Sequence, residues 1–350
     1  MDSENASFFQ EEYSYMKMMK RIAAFALCLV VAAGMIPSGA AAKTTYKVSK
    51  ENFYIFSSNK WVPKEETKYT YTDKGRLKKT VYGYDGIKLD NSRYRTIKTT
   101  NYTYEDGKIK KLQFYNTKGE KHGYLTYVYA QSDGTLQRLV ERRQDGTLKS
   151  EEAYYTKGPE KGKLRYHITY KTNGKTKRTS ENYTYTYYKT GELKEVVEVD
   201  HIRAVSDTTT TTRYNKDGTV KTVKVDLTTK VMTETSESEY SYVKENGVVK
   251  TQTVKKSQKQ KFEEGRSIRH TITEVTEYAT SGKDKGKPLS ISTSAQGKIK
   301  TAKDAPMTTN SFKEKKTYEY TYDKNGNLVQ TISRLNGGLL EKYTYKYKKF

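Results

Sequence analysis

Residues 317–331 read Thr317-Tyr318-Glu319-Tyr320-Thr321-Tyr322-Asp323-Lys324-Asn325-Gly326-Asn327-Leu328-Val329-Gln330-Thr331. Three tyrosines at spacing two share one face of an extended strand, and Thr and Glu take the other. Asp323 at the first position and Gly326 at the fourth suit a type I turn closed by a left-handed glycine. An apolar residue, Leu328, follows two positions after that glycine. A strand, a tight turn and a second strand are thereby written into fifteen residues.

The pattern recurs. Tyr69 and Tyr71, Tyr102 and Tyr104, Tyr183, Tyr185 and Tyr187, and Tyr343, Tyr345 and Tyr347 repeat the alternation. Asp106-Gly107, Asp133-Gly134, Asp145-Gly146, Asp217-Gly218 and Asn246-Gly247 repeat the turn. Gly107, Gly134, Gly162, Gly191, Gly218 and Gly247 fall 27 to 29 residues apart, so one repeat of about 28 residues holds two strands and two turns. After the turns the apolar residues step by two and then by three, as in Ile109 then Leu112 and Val220 then Val223, which predicts a β-bulge beside each hairpin tip. Leu, Ile and Phe are few, so tyrosine supplies ring area for packing and keeps its hydroxyl wet. The expected fold is all-β: one long twisted antiparallel meander of tandem hairpins with roughly 20 strands, open or partly rolled.

Organisation along the chain follows composition. Lys17, Lys20 and Arg21, an apolar run from Ile22, and Ala40-Ala41-Ala42 form the three parts of a secretory signal over residues 1–42, with translation starting at Met16, Met18 or Met19. Residues 43–67, which hold the single Trp61, depart from the rhythm and are expected to form an N-terminal cap. Residues 68–350 form the hairpin domain, with an irregular stretch near 280–310. The only cysteine, Cys28, lies in the leader, so no disulfide or cysteine-bound metal holds the mature chain.

The units around Tyr69, Tyr71, Gly75, Arg76 and Leu77, and around Tyr320, Tyr322, Asp323, Gly326 and Leu328, resemble the YD repeat of the Rhs and wall-associated repeat proteins, although most units lack the Asp after the second Tyr. That resemblance implies successive hairpins that can spiral into a shell, an exported or cell-surface location, and a binding or encapsulating role.

Chemistry is sparse. His122, His167, His201 and His270 sit in different repeats without metal-ligand spacing, and no nucleophile elbow, Walker loop or zinc-protease helix occurs. Adjacent carboxylates such as Glu151-Glu152 point to opposite faces of a strand. No catalytic residue, cofactor or metal is expected. The formal charge of +24 rises to +25 once residues 1–42, with three basic and four acidic side chains, are removed. Such a field attracts polyanions. The expected function is therefore a secreted, extracellular or envelope-associated binding or structural protein. Its expected partners are anionic wall polymers, acidic glycans or mucins, and nucleic acid only non-specifically. The candidate surface is Lys346 and Lys348 with Tyr343, Tyr345, Tyr347, Tyr318, Tyr320 and Tyr322. A glycan-active enzyme with carboxylates assembled across strands and an architectural spacer are the alternatives. No membrane span is expected after cleavage: an outer-membrane barrel is set aside because Lys342, Thr344, Lys346 and Lys348 fall in phase with the terminal Phe350 and cannot face lipid.

Overall fold

The computed structural model describes residues 46–83, 98–300 and 306–349. The signal segment expected at 1–42 lies outside them. The chain runs through β1 (Tyr46–Ser57), β2 (Lys60–Tyr71), β3 (Leu77–Tyr82), β4 (Thr99–Glu105) and β5 (Lys108–Tyr115). It continues through β6 (Lys121–Tyr129), β7 (Leu136–Arg143), β8 (Leu148–Tyr154), β9 (Leu164–Tyr170) and β10 (Lys177–Tyr187). Then follow β11 (Leu193–Ile202), β12 (Ser206–Tyr214), β13 (Val220–Thr229), β14 (Met232–Glu245) and β15 (Val248–Phe262). The last five are β16 (Ser267–Tyr278), β17 (Pro288–Lys300), β18 (Met307–Tyr322), β19 (Leu328–Leu335) and β20 (Gly338–Lys349).

The tyrosine motif acts at each hairpin tip. A tyrosine at the end of the strand before the turn pairs across the hairpin with the apolar residue two past the glycine: Tyr71 with Leu77, Tyr104 with Ile109, Tyr129 with Leu136, Tyr187 with Leu193, Tyr214 with Val220 and Tyr322 with Leu328. The register shifts beside each of these pairs, which is the bulge that the two-then-three spacing predicts. A second contact ties five of these six hairpins to the strand before. Tyr104 Oη donates to the Leu77 carbonyl at 2.8 Å, Tyr129 to Ile109 at 2.8 Å, Tyr185 to Leu164 at 2.7 Å, Tyr320 to Pro288 at 2.8 Å and Tyr71 to Val48 at 2.6 Å. The basic residue just before each accepting carbonyl lies over the donor's ring: Arg76 over Tyr104 at 5.6 Å, Lys108 over Tyr129 at 5.2 Å, Lys163 over Tyr185 at 5.1 Å, Lys287 over Tyr320 at 4.9 Å and Lys47 over Tyr71 at 5.7 Å. These separations are within cation–π reach.

The meander does not stay open. Each strand pairs antiparallel with the next in sequence, and β20 then pairs with β1 from Tyr46–Lys349 to Ile55–Glu341, so twenty strands close into a ring. At this seam Phe53 stacks on Tyr343 with centroids 4.7 Å apart, Asn52 Nδ2 donates to Thr344 Oγ1 at 3.1 Å, and the Lys342 ammonium lies 4.6 Å from the Tyr54 ring and 4.8 Å from that of Trp61. Within the segment 43–67, expected as a cap, residues 46–67 supply β1 and most of β2: β1 pairs with β2 on one side and on the other with β20, almost 300 residues away, where no local rhythm can signal it. In the stretch near 280–310, expected to be irregular, the described residues are mostly strand. A 3₁₀ turn at Gly282–Asp284 sits in a hairpin tip, and β17 fills the rest up to Lys300. Thr and Ser replace Tyr along β17, which hides the strand from a tyrosine-based reading.

The wall is one layer thick. Only Ala153, Ile168, Ile268 and Ala295 are buried apolar residues among those described. The two faces of the wall differ, as along β10, where Tyr183, Tyr185 and Tyr187 are half-buried and Thr184 and Thr186 are exposed. Side chains converge on the concave side of a closed wall, and the crowding of the tyrosine face fits that side.

Two outcomes are expected. Gly123 has φ +147°, and a Cβ there would lie 2.5 Å from the Arg142 carbonyl oxygen, whereas Gly119 has nothing within 4 Å. Gly123→Ala should lower stability by about 2–3 kcal/mol in a denaturant melt and Gly119→Ala by clearly less. Tyr104→Phe keeps the ring under Arg76 but loses the carbonyl bond, and should cost about 1 kcal/mol in the same melt.

Candidate functional site

The interior wall is where unlike strands bring chemistry together. The registers set Glu152 on β8 beside His167 on β9, His167 beside Glu181 on β10, and Glu181 beside Asp200 on β11. One step along the wall, Tyr183 pairs with Glu198. Spacing two in each strand puts these residues on the tyrosine face. His167 Nδ1 lies 3.3 Å from Glu181 Oε2, the Tyr183 hydroxyl donates to the same oxygen at 3.0 Å, and Tyr154 donates to Glu152. Asp200 Oδ1 is buried and has no hydrogen-bond partner among the described residues. Further round the wall, Glu234 accepts from Gln258 Nε2 at 2.7 Å and Gln260 Nε2 at 2.8 Å. The lumen is thus lined by aromatic rings, carboxylates, amides and hydroxyls.

The outward face has a different composition. Glu195–Arg213 and Glu319–Arg334 pair at 2.8 Å, Arg138–Glu151 at 2.7 Å, and Lys224–Asp226 at 2.8 Å along one strand. At the rims, turn carboxylates serve the backbone. Asp133, held by the Lys161 ammonium and the Thr135 N–H, and Asp217, held by Lys244 and Thr219, lie well below the usual carboxylate range. Asp323 is lowered by its bonds from Asn327 and Asn325.

The sequence-predicted surface divides across the wall. Tyr343, Tyr345 and Tyr347 turn inward, where Tyr343 stacks on Phe53 and Tyr347 donates to the Leu328 carbonyl at 2.8 Å. Tyr318, Tyr320 and Tyr322 also turn inward, with Lys316 5.4 Å from the Tyr318 ring and Lys287 4.5 Å from that of Tyr322. Lys346 and Lys348 are exposed on the outer face. The lysines and the rings stand on opposite faces, as their alternation along the strand predicts. The carboxylate cluster went unread because its members lie on four strands, and only the registers align them. Among the described residues no group of three or more His, Asp or Glu is placed to hold a metal ion. The carboxylates do assemble across strands, but on a continuous wall beside Tyr and His.

No family model matches the chain. No curated protein matches it either. Solved structures similar to it are a porin-like protein of Bacteroides uniformis, at 13% identity over 86% of this chain and 96% of that one with a TM-score of 0.31, and a porin-like protein of Bacteroides vulgatus, at 10% identity over 86% and 98% with a TM-score of 0.30. The outer membrane protein OpdK of Pseudomonas aeruginosa matches at 8% identity over 89% and 100%, with a TM-score of 0.24. Likenesses of that size carry no functional argument. The YD-repeat resemblance does not stand: no model of any family matches, and the sheet closes where the resemblance implied a spiral. The Tyr-x-Tyr, turn, Gly-x-Leu motif is what a tyrosine-clasped hairpin requires, and it marks that contact rather than a family. The role expected with the resemblance, a binder of anionic polymers on an open or partly rolled sheet at the cell surface, is corrected by the closure of the sheet into a barrel. The expected lack of a membrane span is corrected as well, since a closed barrel is one of the two architectures whose backbone can cross a bilayer.

Within the cluster, Glu181→Gln should destabilise by about 1–3 kcal/mol, because a carboxylate that serves both His167 and Tyr183 is lost. Asp200→Asn should be neutral or stabilising, since one of its oxygens is buried without a partner. Paired thermal melts of the two variants at pH 7 check this order.

Proposed function

We propose that the chain is a porin-like barrel of the bacterial cell envelope, whose lumen passes small hydrophilic solutes. The closed ring of twenty strands, whose described strands touch only their ring neighbours, carries this proposal. A barrel of about eight strands is filled by its own side chains, and one of 16 to 18 leaves an aqueous channel. Twenty strands at about 4.8 Å make a wall on the order of 100 Å around, too wide for side chains to bridge. Every substantial strand–strand contact is between ring neighbours. The even strand number and the pairing of Tyr46 with Lys349, which sets both ends of the ring at one rim, also fit a pore wall.

The outer face constrains where such a barrel can sit. Exposed Val128, Val199 and Val243 are scattered among Lys, Glu and Thr rather than joined into a band. Each Lys or Arg facing lipid at the bilayer midplane costs about 2–4 kcal/mol. The outward ion pairs offset part of that cost, and lysines near the rims can reach the headgroups.

The test is reconstitution of the purified full chain into planar lipid bilayers. Stepwise conductance increments are expected, together with co-sedimentation with the vesicles after an alkaline wash. A protein that remains in the aqueous phase and adds no conductance overturns the pore and leaves a closed container.

A further inference from the structure

Outside the lumen, the rim above β10 and β11 holds a cleft of about 230 Å³ lined by Lys177, Arg178, Thr179, Ser180, His201 and Arg203. Its construction is local. Ser180 pairs across the strands with His201, and the Arg203 N–H donates to the Arg178 carbonyl at 3.0 Å, which brings the two arginines to one mouth. His201 is oriented through Nδ1 by Asp207, so Nε2 is left for another partner. Thr179 Oγ1 is held by Thr169 at 2.6 Å. Among the described residues none of Lys177, Arg178 and Arg203 forms a salt bridge, and Asp207, which is outside the lining, is engaged by the His201 imidazole. Elsewhere on the outer wall Arg138, Arg213 and Arg334 each have a carboxylate within 2.8 Å. Three positive charges thus face one cleft that has no carboxylate among its lining residues.

We propose that this cleft binds a phosphate group. Two guanidinium forks can each take two oxygens of a tetrahedral oxyanion, and an ammonium, a hydroxyl and an imidazole N–H complete its shell. The volume is several times the roughly 30 Å³ that a water occupies in the liquid, which leaves room for part of the molecule carrying the phosphate. Free phosphate and a phospholipid headgroup share this chemistry. The cleft does not depend on what the lumen does.

The experiment uses the full chain and two probes: equilibrium dialysis against inorganic phosphate at low salt, and flotation with phosphatidylcholine vesicles containing phosphatidic acid. Arg178→Gln with Arg203→Gln should weaken binding at least about tenfold, while Lys346→Gln with Lys348→Gln, which removes the same charge from another exposed part of the wall, should stay within about twofold. Circular dichroism of both variants should match the parent chain. Binding in dialysis alone assigns a soluble phosphate; arginine-dependent flotation assigns a headgroup. Absence of both, or equal losses in the two double variants, overturns the site and makes the binding a property of diffuse charge.

Discussion

The wall depends on one recurrent contact: a tyrosine hydroxyl bonded to a backbone carbonyl of the preceding hairpin, with a Lys or Arg side chain over the ring. A single-layer sheet of this length buries almost no aliphatic core, so the usual source of stability is missing. The clasp replaces it with ring area, a hydrogen bond and a cation–π contact, each modest and all repeated. It also accounts for the spacing of the motif. The tyrosine must stand at the tip or one alternation before it, and the cation must immediately precede the accepting residue.

Clasped hairpins do not by themselves make a ring. Strand twist coils any long meander, and closure then requires that the first strand meet the last in register. Here β1 and β20 meet along nearly their whole lengths, through Phe53 on Tyr343 and Asn52 on Thr344. Closure removes both sheet edges, which would otherwise present unpaired backbone groups to other chains. It also separates the two faces: the tyrosine face becomes a lumen and the Lys, Glu and Thr face becomes the exterior.

That separation redistributes charge. Much of the positive excess lies outward and at the rims, where ion pairs such as Arg213–Glu195 partly balance it, while Glu152, Glu181, Glu198 and Asp200 gather inside. A net charge read along the chain averages the two surfaces and describes neither. The inward carboxylates, the outward lysines and the unpaired basic cleft at Arg178 and Arg203 are three distinct environments.

By itself the sequence determined what depends on neighbours in the chain. The strands at Tyr318–Tyr322 and Tyr183–Tyr187, the turns at Asp217-Gly218 and Asn325-Gly326 and the bulges beside them were legible, because alternation, positive-φ tolerance and the two-then-three apolar step are local constraints. The faces of single strands were legible too, so Lys346 and Lys348 could be set opposite Tyr345 and Tyr347. Only the tertiary structure decided which face became the interior, and that residues 46–57 close the ring rather than cap it. It alone aligned Glu152, His167, Glu181 and Asp200, and joined Arg178 to Arg203. These depend on how far each strand slides against the next, and a shift of two residues in one register would keep every local pattern while dispersing the cluster.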